Sequence, residues 1–182
     1  MSWAVELLGV EPIVGLDEAD DTLSGYRSSL HGRRPVIRAC HGRAHELDAL
    51  VDQVRTWLDE GVEPHAIGVA ARFGNRSTQA EQALQSAGIS TSSLAATDSA
   101  PDRVRVGTMH RMKGLEFRCV AVISVDDTAV PAPNAITADA EDPVAHAHDL
   151  LCERCLLFVA CTRARDALYI SHTGSPSPFL PS

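Results

Sequence analysis

The residues best suited to bind phosphate lie between positions 103 and 118. This stretch carries five arginine or lysine side chains against a single acid, Glu116. Lys113 is the only lysine of the chain, and the other fifteen strong cations are arginines. A hydroxyl such as that of Thr108, together with loop N–H groups, can hold a phosphate, and an ammonium adds a point charge. Because the whole chain has a net charge of −8, any phosphate binding is local.

A second candidate is Arg163, which follows the apolar run 156–160. Phosphoryl transfer spreads negative charge over the transferred group, and a rigidly held guanidinium stabilises that charge. Arginine fingers in GTPases raise the rate by about 10³–10⁵. The alternative is that Arg163 and Arg165 offset the negative end of their helix, which is worth about 0.3–1 kcal/mol. The residue types alone favour this alternative.

The two regions together resemble a known family. The sequence T-M-H-R-M-K-G-L-E-F, residues 108–117, resembles motif V of the superfamily 1 DNA helicases of the UvrD/Rep type. The sequence C-E-R-C-L-L-F-V-A-C-T-R-A-R, residues 152–165, resembles motif VI of the same helicases. The two motifs occur in the family's order, and the resemblance extends over roughly residues 64 to 172.

The resemblance implies a nucleotide-binding role for three residues. Arg163 would reach the ATP γ-phosphate across a cleft from another motor domain. Glu116 would hydrogen-bond the ribose, and Gly114 would permit close approach of the backbone. The alternative for Glu116 is a surface ion pair with Arg111 or Arg118. The sequence contains no G-x-x-x-x-G-K-[ST] loop, so ATP with Mg²⁺ would be bound mainly by the first motor domain.

The resemblance assigns single-stranded DNA contacts to Thr108, His110 and Lys113. On a short helical turn, His110 and Lys113 are three residues apart and share a face. The alternative for His110 is a core histidine that braces the loop. Glu153 and Arg154 either form structural pairs with motif V or contact the nucleotide, and the sequence does not separate these possibilities.

Two other patterns are compatible with a metal. His146, His148, Cys152 and Cys155 have short spacings that can bind zinc, although on a helix the two cysteines are simply neighbours on one face. The run I-V-G-L-D-E-A-D at 13–20 imitates a Walker B site, but no phosphate loop precedes it. We therefore predict no metal ligands and interpret the acids as a solvated turn.

Apolar periodicity predicts alternating strands and helices. Strands are predicted at 35–39, 66–71, 104–106, 119–125 and 167–172, and helices at 43–60, from about 77 to 88, and at 144–162. Ser77 or Thr78 is the predicted N-cap of the second helix, with Glu81 in the capping-box position if Thr78 caps. This alternation indicates a parallel sheet with helices on both faces, which matches the RecA-like fold that the resemblance implies. Only the stretch from about Ser92 to Asp102 separates the second βα unit from the motif V strand, and it is too short to encode the accessory domain that larger members of the family insert there.

The expected organisation is a poorly patterned segment 1–34, a RecA-like domain 35–172 and a Pro-rich tail 173–182. The resemblance implies the C-terminal motor domain of an ATP-dependent DNA helicase, with single-stranded DNA and an N-terminal motor domain as partners. Alone, the chain is expected to be inactive. A non-catalytic RecA-like adaptor is the main alternative. The sequence has no membrane-length apolar run and no export signal, so we expect a cytoplasmic protein with reduced cysteines.

Overall fold

Six strands form one sheet that carries helices on both faces. The computed structural model describes residues 34–96 and 100–181, together with Trp3, Leu7 and the two-residue strands 13–14 and 20–21. In chain order the elements of the sheet and its layers are β1 Val36–Cys40, α1 Arg43–Asp59, β2 Ile67–Ala71, α2 Gly74–Ser86, β3 Thr91–Ser93, β4 Val104–Thr108, β5 Phe117–Ile123, α3 Pro143–Cys161 and β6 Ala164–Thr173. Short 3₁₀ turns lie at Pro64–Ala66, Met109–Met112 and Pro133–Ala135.

The strand order in the sheet is β1-β6-β5-β2-β4-β3. Every neighbouring pair in this sheet is parallel. All six strands therefore end at the same edge, which we call the carboxyl edge, and begin at the opposite amino edge. The predicted parallel α/β sheet is confirmed.

Each face of the sheet has its own hydrophobic core. On one face, α1 and α2 bury leucine and valine side chains such as Leu50, Val54 and Leu84. On the other face, Leu157 of α3 packs with Met109 and Met112. Because both faces are covered, β2 is buried along its whole length and β5 is buried at all but one position.

The predicted ends of the first two helices are confirmed. The N–H of Val62 donates to the carbonyl of Trp57 at 2.9 Å, and the N–H of Ile89 donates to Leu84 at 2.9 Å. These bonds, made just beyond Gly61 and Gly88, satisfy carbonyls that the helix itself leaves open.

The predicted start of α2 is wrong. The helix begins at Gly74, and its N-cap is Phe73, which makes no side-chain capping bond. Ser77 and Thr78 lie inside the first turns, where their hydroxyls donate to the carbonyls of Phe73 at 3.4 Å and Gly74 at 3.1 Å. Such residues favour caps but can also bond backward within a helix, so their type alone does not locate a helix start.

The segment between β4 and β5 does not stay at one edge of the sheet. Because the two strands are parallel and β2 lies between them, residues 109–116 must cross the sheet from the carboxyl edge to the amino edge. Met109 and Met112 are fully buried beneath this crossing. Thr108 and Glu116 consequently lie at opposite edges.

The Pro-rich tail packs against the residues that follow β5. The N–H of Ser177 donates to Val125 at 2.9 Å, and Phe179 is buried. Within the described part of the chain, no helix combines the length and apolar character needed to cross a bilayer.

Candidate nucleotide and DNA site

Glu116 and Arg163 lie side by side at the amino edge, immediately before the neighbouring strands β5 and β6. The N–H of Phe117 donates to the carbonyl of Arg163 at 2.9 Å, which fixes the two segments against each other. Glu116 is exposed and Arg163 is half-buried. The structure therefore brings together the two residues that the resemblance implies for the nucleotide, and neither is sealed in the core.

The Arg163 guanidinium is held by uncharged acceptors. Its Nε donates to the carbonyl of Val159 at 3.1 Å, while the two Nη atoms make longer contacts of 3.4 Å with the carbonyl of Leu115 and the hydroxyl of Thr162. The bond to Val159 shows that Arg163 does bind the last turn of α3, as the helix-end alternative states. No carboxylate lies within ion-pair distance of Arg163 among the described residues, so its charge is available to an anionic ligand.

Glu116 does not form the ion pairs considered as its alternative. Arg118 instead pairs with Asp166 at 2.8 Å. No ion pair of Glu116 is found within residues 34–96 and 100–181. Nearby, Gly114 has a φ of 80°, a left-handed conformation that glycine adopts without steric cost. The carboxylate of Glu116 is thus free to accept a hydrogen bond from outside the chain.

The candidate DNA contacts lie along the crossing segment. Thr108 ends β4 at the carboxyl edge, and the 3₁₀ turn Met109–Met112 follows directly. His110 and Lys113 are both exposed, so His110 is not the core histidine of the alternative interpretation. Met109 and Met112 anchor the turn instead. The spacing of three residues between Met109 and Met112 places both side chains on one face of a 3₁₀ turn, and this spacing is visible in the sequence.

The pKa of His110 lies below the ordinary value of a histidine. Partial burial lowers its pKa below the usual 6.5, and the positive charge of Arg72 lowers it further, whereas Glu153 opposes the shift. Lys113 remains the point charge of this segment.

Glu153 forms a structural pair within the chain. Its two carboxylate oxygens accept from Nε and Nη2 of Arg72 at 2.8 and 2.7 Å, and the N–H of Ala132 donates to the same carboxylate at 2.9 Å. Burial raises the pKa of Glu153, but these hydrogen bonds and the Arg72 charge lower it by more, so the pKa lies below the ordinary 4.5. Arg154 lies over the Phe179 ring, 4.7 Å from its centroid.

A second buried acid, Glu46 of α1, is a feature that sequence reasoning missed. It is fully buried and accepts hydrogen bonds from Arg43 at 2.5 Å, from the Ser124 N–H at 2.8 Å and from the Ser171 hydroxyl at 2.7 Å. Arg43 also bonds Gln79 of α2 at 2.9 Å. This group ties α1, α2, β5 and β6 together on the face opposite α3.

The candidate zinc residues do not converge. The Cys152 thiol lies 3.5 Å from Nε2 of His148, whereas the His146 ring bonds the carbonyl of Thr137 at 2.8 Å. Among the residues that the structure describes, no three His, Cys, Asp or Glu side chains are arranged to hold a metal ion.

The acidic run 17–20 lies mostly outside the described residues. At its flanks, Ile13–Val14 pairs antiparallel with Asp20–Asp21. Ile13–Val14 is therefore not a strand of the parallel sheet, as a Walker B strand would be.

Comparison with known proteins gives matches over the region that contains both motifs. The model of the UvrD-like helicase C-terminal domain matches residues 81–175. The ATP-dependent DNA helicase PcrA of Staphylococcus aureus (strain MRSA252) is 34% identical over 85 residues, which cover 43% of this chain and 11% of PcrA. The putative ATP-dependent DNA helicase YjcD of Bacillus subtilis (strain 168) is 44% identical over 69 residues, covering 37% of this chain and 9% of YjcD.

A solved structure shares the fold. It is the C-terminal domain of a possible DNA helicase from Lactobacillus plantarum WCFS1, with a TM-score of 0.63, 21% sequence identity, and coverage of 82% of this chain and 80% of that one. The present chain spans about a tenth of the length of the curated relatives it matches. The matched family model covers more than half of the 182 residues and includes both motifs. The chain belongs to the UvrD-like helicase C-terminal domain family.

Proposed function

We propose that this chain is the C-terminal motor lobe of an ATP-dependent DNA helicase or translocase, with residues 35–172 as the motor lobe itself. The observation that carries the proposal is the placement of Arg163 beside Glu116, joined by the Phe117 hydrogen bond at 2.9 Å. Among the described residues, Arg163 has no carboxylate partner and Glu116 has no cationic partner, and both lie at the same edge of the sheet. A nucleoside triphosphate presents the complementary groups, a chain of phosphates and a ribose with two hydroxyls.

The two side chains would divide the work at a nucleotide. Arg163 would donate from its Nη atoms to the γ-phosphate, because its Nε is already committed to Val159 and the Nη contacts are long. Glu116 would accept from a ribose hydroxyl, while Gly114 keeps the adjoining backbone in the conformation that exposes the carboxylate. ATP with Mg²⁺ supplies the phosphoryl group and the cation when it is bound, and the acids that hold the cation would come from the N-terminal motor lobe.

The crossing segment would follow single-stranded DNA. Thr108 would bind a backbone phosphate through its hydroxyl, and Lys113 would add a positive charge. His110 would donate a hydrogen bond from its ring to the DNA. Because this segment starts at the carboxyl edge and ends beside Glu116, one short stretch of chain joins the DNA contacts to the nucleotide contacts. Such a connection is what a translocase needs.

The proposal requires a second lobe for catalysis, and this requirement provides its test. The purified 182-residue chain should bind an oligothymidylate but should hydrolyse no ATP. DNA-stimulated hydrolysis should appear when the chain is joined to, or mixed with, an N-terminal motor domain that carries the phosphate-binding loop. Hydrolysis by the chain alone would contradict the proposal, and DNA binding with no hydrolysis in any combination would favour the non-catalytic adaptor.

A further inference from the structure

Arg72 and Glu153 form a buried ion pair whose geometry constrains how β2 and α3 are arranged relative to each other. Arg72 directly follows β2, and Glu153 lies in the middle of α3. The two hydrogen bonds of 2.8 and 2.7 Å form a bidentate contact, and the side chains are only 13% and 7% exposed. A bidentate guanidinium–carboxylate contact constrains both distance and rotation. The pair therefore constrains the middle of α3 relative to the end of β2.

Stability alone does not explain such a pair. Burying two charges costs several kcal/mol in desolvation, and packed apolar side chains of similar volume are often as stable. The third bond, from the N–H of Ala132 at 2.9 Å, brings the segment between β5 and α3 to the same carboxylate. Three separate segments thus meet at one charge, and their relative placement depends on it.

The pair also borders the candidate DNA turn. The charges of Arg72 and Glu153 both act on His110, with opposite signs. Met109 and Met112 of the same turn share a hydrophobic core with Leu157, one turn beyond Glu153 on α3. A shift of this turn would therefore act on both the ion pair and the helix.

Helix α3 carries the effect to Arg163. From Glu153 to Cys161 the helix is continuous, a distance of about 12 Å at a rise of 1.5 Å per residue. The Arg163 Nε bonds the Val159 carbonyl in the last turn at 3.1 Å, so the guanidinium follows any tilt of the helix end.

We propose that Arg72 and Glu153 are positioning residues that couple DNA binding at the turn Thr108–Lys113 to the placement of Arg163 through helix α3. This inference rests on the function proposed above. Neither residue contacts the nucleotide. Arg72 and Glu153 hold α3 in one orientation in the absence of DNA. Binding of DNA at the neighbouring turn can then change that orientation.

The test measures DNA binding and the response of Arg163 separately in the 182-residue chain. An oligothymidylate is titrated into the chain, affinity is measured by fluorescence anisotropy, and the Nε–H signal of Arg163 is followed by NMR. In the wild-type chain the Arg163 signal should shift as DNA binds. In Glu153→Gln and in Arg72→Lys the affinity should stay close to that of the wild type, because neither side chain is among the proposed DNA contacts, while the shift of Arg163 is lost.

The exposed pair Arg118–Asp166, with its single 2.8 Å hydrogen bond, provides the matched control. Arg118→Lys and Asp166→Asn should bind DNA and shift the Arg163 signal as the wild type does. Thermal unfolding identifies any variant that fails to fold. If either Glu153→Gln or Arg72→Lys fails to fold, the other variant provides the test of the coupling. Failure of the wild type to bind DNA would overturn the proposed function. Binding with no shift in the wild type, or with a full shift in folded Glu153→Gln or Arg72→Lys, would overturn the coupling alone.

Discussion

Glu46 on α1 accepts a hydrogen bond of 2.7 Å from the hydroxyl of Ser171 on β6, although 125 residues separate the two in the chain. The same carboxylate receives the Ser124 N–H at the end of β5. Ser124 has a φ of 56°, which is uncommon for a residue other than glycine and places its N–H and hydroxyl toward Glu46. Glu46 thus joins helix α1 to β6, the last strand of the sheet in chain order.

We expect Glu46→Ala to destabilise the chain more than any single change on the exposed face of α1. The substitution removes the acceptor of several buried donors, and breaking a buried charged pair costs about 3–5 kcal/mol. Asp52→Ala, an exposed acid on the same helix, should change the unfolding free energy by less than about 0.5 kcal/mol. Urea unfolding followed by circular dichroism measures both. Equal stability of the two variants would show that the buried network contributes little.

The stability contributed by Glu153 should depend on pH. Because the pKa of Glu153 in the folded chain lies below its ordinary 4.5, the ionised form is favoured by folding. Its contribution is therefore fully present above the unfolded pKa and is lost as pH falls through the folded pKa. The difference in unfolding free energy between the wild type and Glu153→Gln should be constant from pH 7 to about 5.5 and should shrink below about 4.5.

Urea unfolding of both chains at a series of pH values measures this difference directly. Other carboxylates titrate in the same range, but they are common to both chains and cancel in the comparison. Asp142→Asn is a suitable control because Asp142 is exposed and caps α3 without a buried partner. A difference for Glu153→Gln that grows as pH falls would contradict the assigned sign.

The helices and five of the six strands of the sheet could be predicted from local patterns, but the short edge strand β3 and the buried acids could not. Alternating apolar runs indicated a parallel sheet, and Gly61 and Gly88 indicated the helix ends, where the next residue in each case bonds a carbonyl five positions back. Arg72, the cationic partner of Glu153, lies 81 residues away, and Ser124 and Ser171, two partners of Glu46, lie 78 and 125 residues away. The local sequence of an amphipathic helix does not distinguish a buried acid with a distant partner from an acid that faces solvent.

The same limit applies to the candidate site. The motif residues could be named from the sequence, and the resemblance assigned both Glu116 and Arg163 to the nucleotide. The crossing of the segment after Thr108 depends on β2 lying between β4 and β5, which is a property of strand order. Hence the separation of Thr108 from Glu116 across the sheet became evident only from the structure.

Lys113→Ala should weaken binding of single-stranded DNA and reduce its dependence on salt. Lys113 is exposed on the crossing segment, and loss of one phosphate contact should lower the slope of log K against log salt by about 0.7 for a single strand. Arg103→Ala removes the same charge at the start of β4 and should leave the slope unchanged. Anisotropy titrations of an oligothymidylate at several salt concentrations distinguish the two. Identical slopes for both variants would mean that the charge acts only through the overall field.

Arg163→Ala should abolish ATP hydrolysis in a helicase that contains this chain while leaving DNA binding intact. The carbonyls of Val159 and Leu115 hold the guanidinium at the amino edge without neutralising it, so its charge can stabilise a phosphoryl group. Loss of an arginine finger lowers the rate by about 10³–10⁵. Arg163→Lys should also be strongly impaired, because an ammonium retains the charge but not the planar set of donors.

Arg165 is the second residue of β6 and is exposed, so it provides the matched control for Arg163. Arg165→Ala should hydrolyse ATP at close to the wild-type rate, since the side chain lies on the solvent side of the strand. The decisive comparison is between hydrolysis and DNA affinity for each variant. A parallel loss of both in Arg163→Ala, accompanied by a lower unfolding temperature, would mean that its bond to Val159 serves folding and that the γ-phosphate contact belongs to another residue. Loss of hydrolysis at unchanged affinity and stability is the outcome that an unpaired guanidinium beside Glu116 predicts.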